Sequence, residues 1–277
     1  MPSAVTLVDL DDTLFQTLRK CPPGLDHGCL TPYAYGADGL AISYATPTQL
    51  ALISWLEATT VVVVVTARSS PALFRSRVNF QHAIAAHGGM IIDNTVSETP
   101  SFNPEWEAIM RDRLGDDETV LLSLKNEVER DAAALNTAVR ARIIHERGLP
   151  LYLVVKDGRE PADDARLHAA CAGVTGRVPA SWTVHINGNN VAYLPPGLGK
   201  EHAVRWLLPA LRAQYPDLPV IGIGDSFSDG PFMKLCDFAM TPTQSQLAGR
   251  LFQAPERPVS RPPQSPVTEA SLSAERA

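Results

Sequence analysis

Three short clusters and one lysine hold the residue types that could do chemistry. Asp9-Leu10-Asp11-Asp12-Thr13 stands near the start of the chain, and Thr66-Ala67-Arg68 follows a run of valines. Lys200 opens a helical pattern, and Gly224-Asp225-Ser226-Phe227-Ser228-Asp229 comes late. Each cluster follows an apolar, strand-like run, and in open α/β sheets ligands bind outside the carboxyl ends of the strands, so the clusters are expected to converge. Four aspartates in one crevice repel one another unless a hard cation neutralises them. Oxygen ligands without histidine or thiolate suit Mg2+. Lys200, Thr66 and the backbone N–H groups of the first loop then offer donors to a dianionic phosphoryl group.

The elements that must position these residues follow from the apolar pattern. Ala4 to Leu10 reads as a buried strand feeding a polar loop, and Leu14 to Thr46 as a long excursion rich in Pro, Gly and Tyr. Pro47 to Ala58 reads as a helix, with Thr46 to cap it and Pro47 at its first position. Thr60 to Thr66, five valines between threonines, has the character of a strand covered on both faces in a parallel sheet. Ser70 to Phe80 suits a helix, and Ala83 to Ile92 an apolar segment ending in strand. After Asn94 the pattern changes. Two helical stretches, near Pro104 to Leu114 and Asp116 to Arg147, precede a strand at Leu151 to Val155 and a helix near Ala162 to Ala172. Trp182 to Ile186 and Val191 to Leu194 then pair through the turn Asn187-Gly188-Asn189-Asn190. Lys200 to Gln214 and Pro219 to Gly224 return to helix and buried strand. The expected fold is therefore a doubly wound, mostly parallel α/β core, residues 1–94 and 196–250, carrying an inserted α+β module at 95–195. Residues 251–277, with Pro255, Pro258, Pro262, Pro263 and Pro266, read as a flexible proline-rich tail.

Composition narrows the function classes. The 277 residues suffice for a large domain or a core plus a second module, and 45% hydrophobic against 19% charged residues describes an ordinary globular chain. A net charge of −6 speaks against a general nucleic-acid or anionic-membrane surface. No apolar run approaches the ~20 residues of a membrane helix, and the acids at Asp9, Asp11 and Asp12 do not suit a signal peptide, so a cytoplasmic location is expected. Four scattered cysteines fit reduced thiols. Cys21, His27 and Cys29 lack a fourth ligand at zinc-site spacing.

The order Asp-x-Asp-x-Thr, Thr after a valine strand, Lys on a later helix and Gly-Asp-x-x-x-Asp resembles the four motifs of the haloacid dehalogenase (HAD) superfamily of phosphatases. The resemblance implies a Rossmann-like HAD core whose 95–195 insertion is a cap. It further implies that Asp9 is the nucleophile forming an aspartyl-phosphate, and that Asp11 is the acid protonating the leaving oxygen and later activating water. Mg2+ would be held by Asp9, the Asp11 carbonyl and Asp225, with Asp229 supporting the metal or Lys200, and Thr66 and Lys200 would bind phosphoryl oxygens. The cap looks like the C2 type of the Cof-like, sucrose-phosphate phosphatase and mannosyl-phosphoglycerate phosphatase branch. That branch often has Thr-Gly-Arg where this chain has Thr66-Ala67-Arg68, and commonly Asn where it has Ser228.

The implied activity is Mg2+-dependent hydrolysis of a small phosphorylated metabolite, a sugar phosphate first, with no nucleic-acid or membrane partner. A phosphomutase and a non-catalytic binding protein of the same fold are the alternatives. Arg68 is open between a substrate contact and an ion pair, and Asn189 and Asn190 between turn chemistry and substrate binding. His82, His87, His185 and His202 read as structural, with no Ser or Cys nucleophile motif beside them.

Overall fold

The computed structural model describes residues 1–96, 99–115, 117–159 and 162–252. The proline-rich tail lies outside the described residues, apart from its first two positions.

The chain starts with β1 (Ala4–Val8), every residue of which is buried. The long excursion that follows contains a hairpin, β2 (Thr31–Tyr35) and β3 (Ala41–Ala45), that its irregular composition did not disclose. Helix α1 (Pro47–Thr59) starts as expected: Thr46 and Gln49 form a reciprocal capping box with Pro47 in the first turn. Such a cap contributes about 1 kcal/mol. The valine strand is β4 (Thr60–Val65), buried throughout. The helix expected over Ser70 to Phe80 is only the single turn α2 (Ser70–Leu73). Beyond it the backbone is taken by the hairpin, since Tyr35 N–H donates to the Arg75 carbonyl (3.0 Å) and Arg77 N–H to the Tyr33 carbonyl (2.9 Å).

Ala83 to Ile92 resolves into two antiparallel strands, β5 (His82–Ala85) and β6 (Met90–Asp93). The turn between them places Ala86, His87 and Gly88 at positive φ. Gly88, at φ +97°, is required by contact as well as conformation. A Cβ there would lie 2.2 Å from the Gly199 carbonyl oxygen. A short β7 (Ser101–Phe102) pairs with β6, and α3 (Pro104–Leu114) buries Trp106, Met110 and Leu114 in the same apolar cluster as the main sheet. The start of the expected insertion is thus packed on the core.

The long helical stretch expected over Asp116 to Arg147 is two elements, α4 (Asp117–Ala134) and β8 (Val139–Glu146). Asn136 at φ +48° ends the helix, and from Val139 the apolar period drops to two: Val139, Ala141 and Ile143. Strand β9 (Leu149–Asp157), helix α5 (Asp164–Thr175), β10 (Thr183–Ile186) and β11 (Val191–Leu194) complete an antiparallel sheet of order β10-β11-β9-β8. One face of it, with Ile143, Leu153, Val155, Val191 and Tyr193, packs against α4 and α5 in its own core. The other faces the main domain.

Helix α6 (Lys200–Gln214) buries Ala203, Val204, Leu207, Leu208 and Leu211. It leads to β12 (Val220–Ile223), α7 (Gly230–Met233), β13 (Phe238–Met240) and α8 (Gln246–Leu251). The main sheet has seven strands in the order β13-β12-β1-β4-β5-β6-β7. It is parallel from β13 to β5 and antiparallel at the β6-β7 edge. Strand β1 lies between β4 and β12, so the chain leaves β1 to one side and returns to the other. That reversal opens the crevice expected at the carboxyl ends. Among the described residues no helix is long and apolar enough to cross a membrane.

Candidate active site

The three adjacent strands β12, β1 and β4 end in Asp225, Asp9 and Thr66. Asp12, at φ +65°, turns the chain sharply after β1, and Asp12 N–H donates to the Phe15 carbonyl (2.8 Å). Aspartate tolerates this left-handed conformation better than most side chains. Lys20 pairs with the Asp12 carboxylate.

Lys200 stands at the centre. Its Nζ donates to Asp9 Oδ1 at 2.6 Å and to Asp229 Oδ1 at 2.7 Å, and its side chain is only 5% exposed. Asp9, Asp225 and Asp229 each place a carboxylate oxygen within 4.8 Å of the others. Asp229 is fixed by Ser226, whose N–H (3.0 Å) and Oγ (2.6 Å) both donate to Asp229 Oδ2. Thr13 Oγ1 donates to Asp225 Oδ1 at 3.4 Å. The carboxylate of Asp11 is not in this group.

The electrostatics follow from crowding three carboxylates around one ammonium. Burial lifts Asp9 well above the ordinary carboxylate range, with Lys200 opposing and Asp229 and Asp225 adding to the rise. Asp225 is pushed up to about 7, by burial first and then by Asp229 and Asp12. Burial would raise Asp229 too, but Lys200 and the Ser226 hydrogen bonds hold it below the usual value. Lys200 itself is held above its ordinary value, since Asp229 and Asp9 outweigh its burial. One ammonium among three carboxylates leaves negative charge uncompensated, and an all-oxygen donor set of this kind fits a hard divalent cation.

Thr66 is fully buried and its hydroxyl accepts the Arg68 N–H at 3.1 Å. Arg68 forms a two-pronged ion pair with Asp11, Nε to Oδ2 at 2.8 Å and Nη2 to Oδ1 at 2.7 Å. Nη2 also reaches Ser43 Oγ at 3.2 Å, and the guanidinium lies over the Phe15 ring. Ser43 and Phe15 belong to the excursion after β1, whose hairpin therefore helps to build the site. Asp11 nevertheless stays open to the crevice, its side chain 45% exposed.

Asn189 and Asn190 do not come to this centre. The Asn189 amide is used within the inserted sheet, accepting from Asp157 N–H (2.7 Å) and donating to the Asp157 carbonyl (3.0 Å). Asn190 contributes its backbone carbonyl to the turn, accepting from Asn187 N–H at 2.9 Å. It is Asn187 that reaches across, accepting from Lys20 Nζ at 3.1 Å. His87 and His185 stack with ring centroids 5.5 Å apart across the two domains, and both are held below the ordinary histidine value, by burial first. They line a cavity of about 330 Å³ beside Lys200, together with Glu201, Phe227 and Ser228. Their packing explains their burial, and their place at the cavity was not legible from sequence because no motif surrounds them. Ser226 and Thr13 were likewise overlooked, although both lie within the singled-out clusters.

No protein-family model matches the sequence, and no curated protein matches it. Solved structures do resemble the fold. The C-terminal domain of trehalose-6-phosphate phosphatase from C. albicans is 13% identical and superposes with a TM-score of 0.55, over 83% of this chain and 73% of that one. A C-terminally truncated IMP-nucleotidase of Plasmodium falciparum is 12% identical with a TM-score of 0.54, over 87% and 69%. The fold is thus one that these two proteins share, an α/β core carrying a separate antiparallel sheet.

Proposed function

We propose that the protein is a Mg2+-dependent hydrolase of small phosphate monoesters, with residues 1–94 and 196–250, joined by β7 and α3 of the 95–195 insertion, forming the catalytic core and the rest of the insertion the cap. The observation that carries this reading is Asp9, at the end of β1, bonded to Lys200 and grouped with Asp225 and Asp229 beneath the cap sheet. One structural neighbour is by name a phosphatase of a sugar phosphate and the other a nucleotidase, which supports the reaction class.

In this mechanism the substrate phosphoryl group is received by Lys200, the Thr66 hydroxyl and backbone N–H groups of the 9–13 loop. Asp9, Asp225, Asp229 and the Asp11 carbonyl would hold Mg2+, which would neutralise the phosphoryl charge. An Asp9 carboxylate oxygen attacks phosphorus and the ester P–O bond breaks. Asp11 gives its proton to the departing alkoxide. Asp11 then takes a proton from water as that water attacks the aspartyl-phosphate, the bond to Asp9 breaks, and inorganic phosphate leaves. Asp11 must exchange its Arg68 partner for the leaving oxygen, which frees the guanidinium for the substrate.

The test is phosphate release from a panel of small esters. Turnover with Mg2+ that vanishes with EDTA and in Asp9→Asn supports the reading, whereas an Asp9→Asn enzyme as active as the wild type overturns it. Isomerised ester without free phosphate would instead identify a mutase.

A further inference from the structure

The cap sheet has two unlike faces, and the one turned toward the core carries cations that have no carboxylate partner among the described residues. Strands β8 and β9 pair in the register Arg140 with Lys156 and Arg142 with Val154. Arg140, Arg142 and Lys156 therefore share a face with Tyr152 and Val154, opposite the buried Leu153 and Val155. Tyr152 Oη donates to the Ala67 carbonyl at 3.1 Å, so this face looks onto the loop that holds Arg68, and through Arg68 onto Asp11.

Like charges set opposite or diagonal across a β-ladder destabilise it. Among the described residues Arg140, Arg142 and Lys156 have no carboxylate partner, whereas the nearby cations Arg68, Lys20 and Arg19 each have one, in Asp11, Asp12 and Asp164. The surroundings of Lys156 confirm the crowding. Its ammonium is held below the ordinary value by burial, with Asp11 opposing and Arg68 and Arg142 adding to the fall. The residue as a whole is still exposed. A ladder that concentrates unpaired cations at the mouth of a site is arranged for an anion that arrives from outside.

Resting on the phosphatase reading, we propose that Arg142 and Lys156 form a second anion-binding subsite, so that the preferred substrate carries a carboxylate or a second phosphate on the part that leaves. The leaving group must lie between Asp11, which protonates it, and the cap face above. A neutral polyol would leave both cations unpaired there, while an anionic leaving group pairs them and fixes its own orientation.

The experiment compares esters that differ only in that charge. Glycerol 1-phosphate against 3-phosphoglycerate tests a carboxylate, and fructose 1-phosphate against fructose 1,6-bisphosphate tests a second phosphate. The charged member of at least one pair is expected to have a kcat/KM about tenfold or more above its neutral partner, mostly through KM, since a charge-assisted bond contributes on this scale. In Arg142→Gln/Lys156→Met that preference should collapse to within about threefold, with a melting temperature equal to or above that of the wild type because repulsion is relieved. Equal kcat/KM within both pairs in the wild-type enzyme, or an undiminished preference in the double variant, overturns the subsite while leaving the phosphatase reading intact. No Asp9-dependent turnover of any ester overturns both.

Discussion

Replacing Lys200 by Met keeps most of the side-chain volume but removes the ammonium bonded to Asp9 and Asp229. Breaking a buried ion pair by deleting one partner costs about 3–5 kcal/mol, because the remaining charges are left uncompensated. The fold should survive, since domains are commonly stable by about 5–15 kcal/mol. For a chain of this size each kcal/mol lowers the melting temperature by about 2–4 °C, so a fall of about 6–20 °C is expected in EDTA at pH 7.5. The pH dependence identifies the cause. Without the ammonium the folded-state pKa values of Asp9 and Asp229 rise, and a carboxyl whose folded pKa exceeds its unfolded value loses stability as pH increases through that range. Wild-type Asp229 is held below its ordinary value, so its contribution is lost in the opposite direction, on acidification. The first effect shrinks the gap between variant and wild type as pH falls from 7.5 to 5, whereas the second sets in only below the ordinary carboxyl range. Thermal unfolding followed by circular dichroism at pH 7.5 and pH 5 measures it. A deficit under about 1 kcal/mol at pH 7.5, or one as large at pH 5, would refute the claim that Lys200 compensates the carboxylates.

Three further outcomes are expected. Asp11→Asn should reduce turnover of alkyl phosphates by about 10²–10⁴-fold and of activated aryl phosphates much less, and equal losses in steady-state kinetics would show that Asp11 does not transfer a proton to the leaving oxygen. Glu146, buried and accepting Ser70 N–H at 2.6 Å, has its pKa raised by burial, with the Ser70 bonds opposing. Its ionised form therefore opposes folding above the ordinary carboxyl range, and Glu146→Gln should stabilise the protein at neutral pH but not at pH 4, as read by denaturant titration at the two values. Mg2+ should raise the wild-type melting temperature in a concentration-dependent way, reflecting about 2.7 kcal/mol of stabilisation at a hundred times its dissociation constant, and Asp225→Asn should blunt that response.

The parts of the fold that were legible in the sequence were those where one signal dominated. The five valines of β4 and the Thr46 cap of α1 lie where local composition placed them, and α6 spans the same residues as its apolar spacing. That Asp9, Lys200, Asp225 and Asp229 come together was legible because strand ends and acid spacing coincide. What was missed depends on partners distant in sequence. The truncation of α2 comes from hydrogen bonds to a hairpin about 40 positions away, and β8 was merged into a helix because Arg140 and Arg142 alternate with apolar residues in a stretch short enough to suit either period. The ion pair between Arg68 and Asp11 required two loops to meet, so sequence left Arg68 open between two roles. Asn189 has a side chain suited to binding, but its hydrogen bonds are made to the neighbouring strand.

The contact between Gly88 and Gly199 sets how finely the site can be tuned. Position 88 leaves no room for a side chain against the Gly199 carbonyl oxygen, and the Lys200 backbone nitrogen is 3.2 Å from where a Cβ would be. The start of the lysine helix therefore rests directly on the turn after β5, main chain against main chain. Trp106 Nε1 clamps that turn from behind by donating to the Gly88 carbonyl at 2.9 Å. A side chain can rotate to absorb an error in position, but two touching backbones cannot. The lysine's reach toward Asp9 is thus calibrated by missing atoms, and a single added methyl group would be transmitted through the helix as a rigid displacement, where about 1 Å is enough to cost a hundredfold in rate.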